Sequence, residues 1–403
     1  MNSIDESLSV YDYLKSFGTS DDMIALASAG FANTMATNLE ELSLKQSAHW
    51  AQEEHYDKTH SSNSPVMKKE LSYSSHNAEE SSRLRSGSLT EIIGHGDYRF
   101  KNSYSCLIDY LREGQNIIIS SPVSLIDYSS EDDDKVIVHT KKGDIYQAKR
   151  VVVTCSPIVL KNPNLLQFQP SLPSEKVDAL DCISMYTATK VILTFKTRPW
   201  PRGLHGIIMA GTLVPEVWFK EDYPNINLKK SSSKESPSDD SCSDDSNDLE
   251  RSVVYMAVGF LSARFANEAN NLENEELIQK FLAQLDFVFS HFTIEHVSAV
   301  KPDIENSQSG HVFGFEKNVS IIPSQHFVKG IVYDWATNHP YIGGSYASPK
   351  AGKPIDYPHI LAKPIGRTLF FAGEATNVDA GACTHSALET GLRAAEEIAA
   401  SIL

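Results

Sequence analysis

The chain has 403 residues, enough for roughly two or three domains of ordinary size, and its 41% hydrophobic content can fill a sizeable core. A net charge of −16 speaks against nucleic-acid binding, which needs a basic footprint, and is compatible with a cationic substrate, although much of the excess lies in one low-complexity run. Five scattered cysteines (Cys106, Cys155, Cys182, Cys242, Cys383) form no C-x-x-C pair and no zinc-type spacing, so no metal site is expected and a reducing compartment is.

The opening MNSIDESLSVYDYLK is acidic and lacks the apolar segment of a signal peptide. No stretch reaches the roughly 20 apolar residues that span a bilayer, so a soluble, intracellular chain without a membrane partner is expected. Residues 1–57 read as helical, with apolar positions at three- and four-residue spacing in "SVYDYLKSF" and "LEELSLKQSAHWAQEE", interrupted by Gly18 and Gly30. Residues 58–92 are Ser-rich and polar, a long loop or disordered insert. Then "SYSCLIDYLRE" predicts a helix, and "NIIISSPV", "KVIVHT" and "DIYQAKRVVVTC" predict short strands. "TATKVILTF" is another strand, ending before a Pro-Trp-Pro turn. Residues 229–250, KKSSSKESPSDDSCSDDSNDLE, have almost nothing to bury and read as a disordered surface insertion. A strand over 253–260 and an amphipathic helix from about Leu272 follow.

The closing stretch "LFFAGEATNVDAGACTHSALETGLRAAEEIAASIL" predicts a buried strand, a small-residue turn and a helix from about Ser386. Leu388, Gly391, Leu392, Ala395 and Ile398 are expected to form that helix's core-facing stripe. Ala372-Gly373 at the strand end lets a backbone approach something closely, and a helix N-terminus offers free N–H groups and partial positive charge. Strand ends followed by helix N-termini are where α/β proteins hold anionic cofactors. The ordinary alternative is a strand–turn–helix packed for structure alone.

At these residues the sequence resembles the flavin-containing amine oxidases, which include monoamine and polyamine oxidases and flavin-dependent histone lysine demethylases. "LFFAGEAT" and the helix after it are similar to that family's C-terminal flavin signature. "GDYRFKNSYSCLIDYL", "SSPVSLID" and "RVVVTCSPIVLK" resemble its middle flavin-domain segment, and "MYTATKVILTFKTRPWP" its strand carrying an active-site lysine. "WATNHPYIGGSY" resembles its W-x-x-D/N-P stretch, with Asn338-His339-Pro340 replacing the tighter spacing. The four matches lie in the family's order over most of residues 94–403.

The resemblance implies FAD as cofactor and these roles. Val123 would meet the adenine through its backbone, and Gly373 and Glu374 would lie near the ribityl-pyrophosphate. Cys383 and Thr384 would offer N–H groups to the flavin pyrimidine, and Trp335 would pack near the isoalloxazine. Lys190 would hold a water near flavin N5; without the resemblance it would read as a solvated strand lysine.

The family's opening G-x-G-x-x-G turn has no counterpart here, since Gly94-His95-Gly96 continues as Asp97, Tyr98, Arg99. The chain is therefore expected to begin inside the family's helical substrate region, its diphosphate cradle absent or supplied by an upstream segment or a second chain. The expected fold is α/β with an α+β substrate domain, a two-domain amine-oxidase architecture that is N-terminally truncated. Its parts would be a helical region with Ser-rich loop (1–93), a flavin-domain segment (94–157), the substrate domain with the 229–250 insert (158–330) and a C-terminal flavin-domain segment (331–403).

The implied activity is FAD-dependent oxidation of an amine, a polyamine being one candidate, to an imine, with O2 reduced to hydrogen peroxide. The alternatives are a non-catalytic or truncated relative and another flavin oxidoreductase of the same superfamily. The cytoplasm is the expected location, with the nucleus and the peroxisome as open alternatives; the final Ser-Ile-Leu only loosely resembles a peroxisomal tripeptide.

Overall fold

The computed structural model describes residues 4–48, 103–130, 135–201, 203–222, 253–291, 322–378 and 381–402. The Ser-rich stretch and the 229–250 run lie outside the described residues. In chain order the strands are β1 (Val123–Asp127), β2 (Val136–Thr140), β3 (Ile145–Ala148), β4 (Val151–Val153), β5 (Gln167–Gln169), β6 (Ile183–Ser184), β7 (Ala188–Phe195), β8 (Gly206–Ile208), β9 (Glu216–Asp222), β10 (Val254–Ser262), β11 (Phe327–Asp334), β12 (Ser348–Pro349) and β13 (Leu369–Phe371).

Strict alternation in "TATKVILTF" builds the largest sheet, with strand order β11-β7-β10-β9-β8 and antiparallel neighbours throughout. Val191, Leu193 and Phe195 on one face join Val217, Phe219, Ala257 and Leu261 in a core closed by Leu277, Phe281 and Leu285 of helix Asn274–His291. That helix meets the sequence expectation to within two residues. Gly259 matters here because a Cβ on it would lie 2.5 Å from Val214 Cγ1 and 3.1 Å from the Phe281 ring.

On the opposite face the N-terminal segment reaches the sheet at Ile208 of β8, beside Gly30, and at Glu216 of β9, through Asn33. Helix Val10–Ser16 starts on a capping box in which Ser9 and Asp12 satisfy each other's backbone N–H groups. Helix Asp21–Ala27 continues into a π-helical turn, Ser28–Ala32, whose small residues Ala29, Gly30 and Ala32 are buried. The π turn ends at Asn33, which points into the sheet.

A second sheet, β3-β2-β1-β5, and the short parallel pair β4–β13 form the other half. β13 is the buried strand expected from its sequence: Leu369, Phe370 and Phe371 are 0%, 2% and 3% exposed, in register with Val151, Val152 and Val153. On its outer edge Leu369 exchanges hydrogen bonds with Ile365, and the Phe371 carbonyl accepts from Arg393 Nη2 at 2.5 Å.

Two sequence expectations fail. "NIIISSPV" is no strand over Asn116–Ser121; the ladder begins at Val123, and Ile117, Ile118 and Ile119 are exposed because no neighbouring strand among the described residues pairs with them. The last helix spans Thr384–Ile402, but its packed face is Ser386, Thr390 and Ala394, while Leu388 and Leu392 are exposed. Small and hydroxyl-bearing residues let the helix sit close to the turn after β13, where Thr390 and Arg393 take up backbone groups. The most apolar stripe therefore faces outward.

Candidate functional site

β4 and β13 run parallel, so their C-terminal ends open on the same side, where a cavity of about 430 Å³ is lined by Thr154, Cys155, Ser156, Lys176, Gly373 and Glu374 among others. Gly373 has φ 138°, a conformation reserved for glycine, and a Cβ there would meet nothing within 4 Å. Its N–H donates to Thr390 Oγ1 at 2.9 Å, which fixes the strand end to the last helix.

The Glu374 carboxylate accepts from the N–H groups of Ala347 and Ala382, both at 3.0 Å, and so ties two loops together at the mouth. Burial pushes its pKa up, against the opposing pull of those two donors. Cys383 and Thr384 follow Ala382 at the start of the last helix, both exposed, and the Cys383 carbonyl accepts from Ala387 N at 3.2 Å. Gly373, Glu374, Cys383 and Thr384 are thus gathered at one place.

Lys190 and Trp335 form a second group. Lys190 stands in one rung across four strands: Tyr333 on β11, Lys190 on β7, Phe260 on β10 and Glu216 on β9 are successive partners. This puts all four on the face opposite Val191, as alternation predicts for Lys190. The Lys190 ammonium lies 5.6 Å from the Trp335 ring centroid and 5.8 Å from that of Phe260. Tyr333 meets Trp335 edge-on at 4.7 Å, and its hydroxyl is hydrogen-bonded to His339. Asp334 caps the turn carrying Trp335, accepting from Ala336 N at 2.9 Å and Thr187 Oγ1 at 3.0 Å. Burial pulls the Lys190 pKa down, and the charge of Glu216 partly restores it.

The Tyr346 hydroxyl donates to the Thr34 carbonyl, and burial, then the charges of Glu216, Cys383 and Glu374, push its pKa up. Val123 lies apart, opposite Thr140 at the start of β1, with its side chain in the cluster that holds Val153, Leu369 and Phe371.

Three residues were missed by sequence reasoning. Glu216, 3% exposed, takes three donors: Trp218 Nε1 at 2.8 Å, Asn33 Nδ2 at 2.9 Å and Thr34 Oγ1 at 3.1 Å. Asn33 also donates to the Phe260 carbonyl and accepts from Ser262 N. Lys176, buried at the cavity wall, donates to the carbonyls of Ile360 and Leu361 and lies 3.9 Å over the Phe371 ring; burial draws its pKa down to about 8. Alternation in "PEVWFKED" would have flagged a strand, but two of the three partners of Glu216 are 182 and 183 residues away in sequence.

A strand end with a side-chain-free backbone, a helix start beside it and hydroxyl-bearing residues on the wall fit one end of a flavin nucleotide. Residues 12–399 match the family model of flavin-containing amine oxidoreductases. The chain belongs to that family. It is 28% identical over 297 residues to lysine-specific histone demethylase 2 of Homo sapiens, an alignment that covers 74% of this chain and 30% of that protein. It is 27% identical over 310 residues to polyamine oxidase 4 of Oryza sativa subsp. japonica, covering 77% of this chain and 50% of that one. The chain thus aligns with half or less of these relatives.

Its fold is that of cyclohexylamine oxidase from Brevibacterium oxydans IH-35A, with TM-score 0.63 at 15% identity over 98% of this chain and 68% of that one. Putrescine oxidase bound to putrescine gives 0.61 at 17%, with the same coverages. The α/β architecture expected from sequence is therefore the one found. Among the described residues, no group of three or more His, Cys, Asp and Glu could hold a metal ion, and no helix is long and apolar enough to cross a membrane.

Proposed function

We propose that this chain carries the substrate-facing part and the C-terminal cofactor-facing part of an FAD-dependent oxidoreductase. It would oxidise an amine, such as a polyamine, to an imine with O2 reduced to hydrogen peroxide. One observation carries the reading: Lys190 and Trp335 stand together on a half-buried aromatic face, in a chain whose β4 and β13 end on a cavity that carries the side-chain-free Gly373. When bound, the flavin supplies the hydride acceptor for the carbon next to the amine nitrogen.

Gly373, Glu374, Cys383, Thr384 and Val123 are the residues proposed to hold it, with Trp335 against its ring system. The rings of Phe260, Tyr333 and Trp335 exclude bulk water around Lys190 and leave its ammonium to hold one water by hydrogen bond. A cationic wall also disfavours an ammonium beside it, so the substrate nitrogen presents its lone pair, the form from which hydride loss proceeds. A diphosphate-binding unit bearing G-x-G-x-x-G, in cis or on a second chain, would complete the cradle.

The test is to supply that unit, titrate FAD by its visible absorbance, and then follow peroxide release with a panel of amines. Flavin uptake and turnover are expected, with Lys190→Met slowing oxidation or flavin reoxidation while FAD binding stays nearly intact. Flavin uptake without turnover of any amine would favour a non-catalytic relative. Unchanged kinetics in Lys190→Met would overturn the lysine's role.

A further inference from the structure

We propose that Glu216 is a positioning residue for Lys190: a buried counter-charge, held across the Phe260 ring, whose field favours the ammonium. Four observations lead there. Lys190, Phe260 and Glu216 occupy consecutive strands of one rung, which places the Glu216 backbone two strand spacings, about 10 Å, from that of Lys190. Side chains of one rung share a face, so the low-polarity ring of Phe260, rather than solvent, fills the space between them.

The carboxylate is 3% exposed, and its three donors come from Trp218 and from the N-terminal segment. Asn33 is anchored in turn to Phe260 O and Ser262 N, so Glu216 has no freedom to swing toward Lys190 or away from it. A fixed charge at that distance acts through its field, which is larger where water is excluded. Among the described residues, the titratable groups facing Lys190 are Glu216 from β9 and the hydroxyl of Tyr333 from β11, itself bonded to His339; Phe260 from β10 and Trp335 carry no charge. Burial disfavours the lysine cation, and the charge of Glu216 acts against this.

The consequence matters only if Lys190 works in the oxidation proposed above, but the coupling can be read without turnover. The full chain is labelled with a trace acylating reagent across the neutral-to-alkaline range, and the pH dependence of modification at Lys190 is followed by mass spectrometry. In Glu216→Gln, the neutral-pH reactivity of Lys190 should rise roughly three- to tenfold, the size expected for one charge at this distance in a partly buried setting. Lys176, at the far cavity wall, should keep its wild-type profile and so report that the fold is intact.

Trp218→Phe removes a hydrogen bond to Glu216 but not the charge, and should leave Lys190 unchanged. An equal rise in both variants would mean that loosened packing, not charge, controls the lysine, and would overturn the proposal. So would an unchanged Lys190 in Glu216→Gln.

Should Glu216→Gln fail to fold, the labelling is repeated on Glu216→Met, which removes the charge at similar volume and leaves Asn33 Nδ2 its bond to the Phe260 carbonyl. An unchanged Lys190 there would overturn the proposal equally. If the coupling appears and no amine is turned over, the amine-oxidation reading fails while this one stands.

Discussion

Asn33 is fully buried, and its polar atoms reach segments remote in sequence: Glu216, the Phe260 carbonyl, and the amide and hydroxyl of Ser262. Asn33→Ala would leave the Ser262 N–H and one donor position on Glu216 without a partner inside the protein, where water cannot substitute. The expected cost is about 2–4 kcal/mol, seen as a lower denaturant midpoint at unchanged slope. A loss below about 1 kcal/mol would mean that water enters the network. Thr390 is the counterpart at the cofactor-facing end, with its hydroxyl between Gly373 N and the Ala387 carbonyl. Thr390→Val keeps the shape and removes the acceptor, so about 1 kcal/mol is expected, with faster hydrogen exchange confined to Gly373 and its neighbours. Exchange that stays at the wild-type rate would show that another group holds that N–H.

The strands and helices with strong periodicity were legible in the sequence. "KVIVHT", "TATKVILTF" and "LFFAG" are β2, β7 and β13, because alternating or continuous β-branched and aromatic residues suit a half-buried or buried ladder. What was not legible depended on neighbours. Ile117–Ile119 has the composition of a strand and no ladder among the described residues, and the last helix turns Leu388 outward so that Thr390 and Arg393 can reach backbone groups. The site shows the same division: Lys190 and Trp335 could be marked from local motifs, whereas Glu216 and Asn33 acquire meaning only through contact.

Packing within elements gives two further predictions. In β10, Gly259→Ala would push a methyl to 2.5 Å from Val214 Cγ1 and against Phe281, costing about 1–3 kcal/mol by denaturation; a neutral result would show that the helix can shift. Lys176 gives a pH signature. Its folded pKa of about 8 lies below the ordinary 10.5, so between those values the unfolded chain binds more protons and this group's contribution to stability rises with pH. Below about pH 8 the lysine is charged in both states and its burial cost is fully present. Wild-type stability measured against Lys176→Met should therefore improve from pH 8 to 10.5. Parallel profiles would mean that the ammonium is better solvated than its 3% exposure implies.

At the scale of the whole molecule, the cofactor-facing half carries a set of exposed apolar side chains. Leu388 and Leu392 on the last helix, Ile108 and Leu111 on helix Ser105–Arg112, Ile117–Ile119 and Val152 on β4 are all exposed. β13 has a ladder only with β4 among the described residues, and on its outer edge Ile365 bonds both backbone groups of Leu369 and Arg393 bonds the Phe371 carbonyl. The exposed apolar side chains, rather than that buried edge, favour self-association. These 403 residues alone are therefore expected to be poorly soluble and to purify with little FAD. A supplied dinucleotide-binding unit with G-x-G-x-x-G, fused or as a second chain, should restore solubility and flavin together by covering the helix. A Leu388→Asp, Leu392→Asp variant separates cause from coincidence. It should raise the solubility of the isolated chain, because the patch is gone, and yet abolish rescue by the supplied unit, because the unit's seat is gone too. A soluble monomer of these residues that keeps FAD stoichiometrically would overturn the expectation and place the diphosphate on residues of this chain itself. Rescue that persists in the double variant would place the seat elsewhere, with Ile108, Leu111 and Ile117–Ile119 the next face to test.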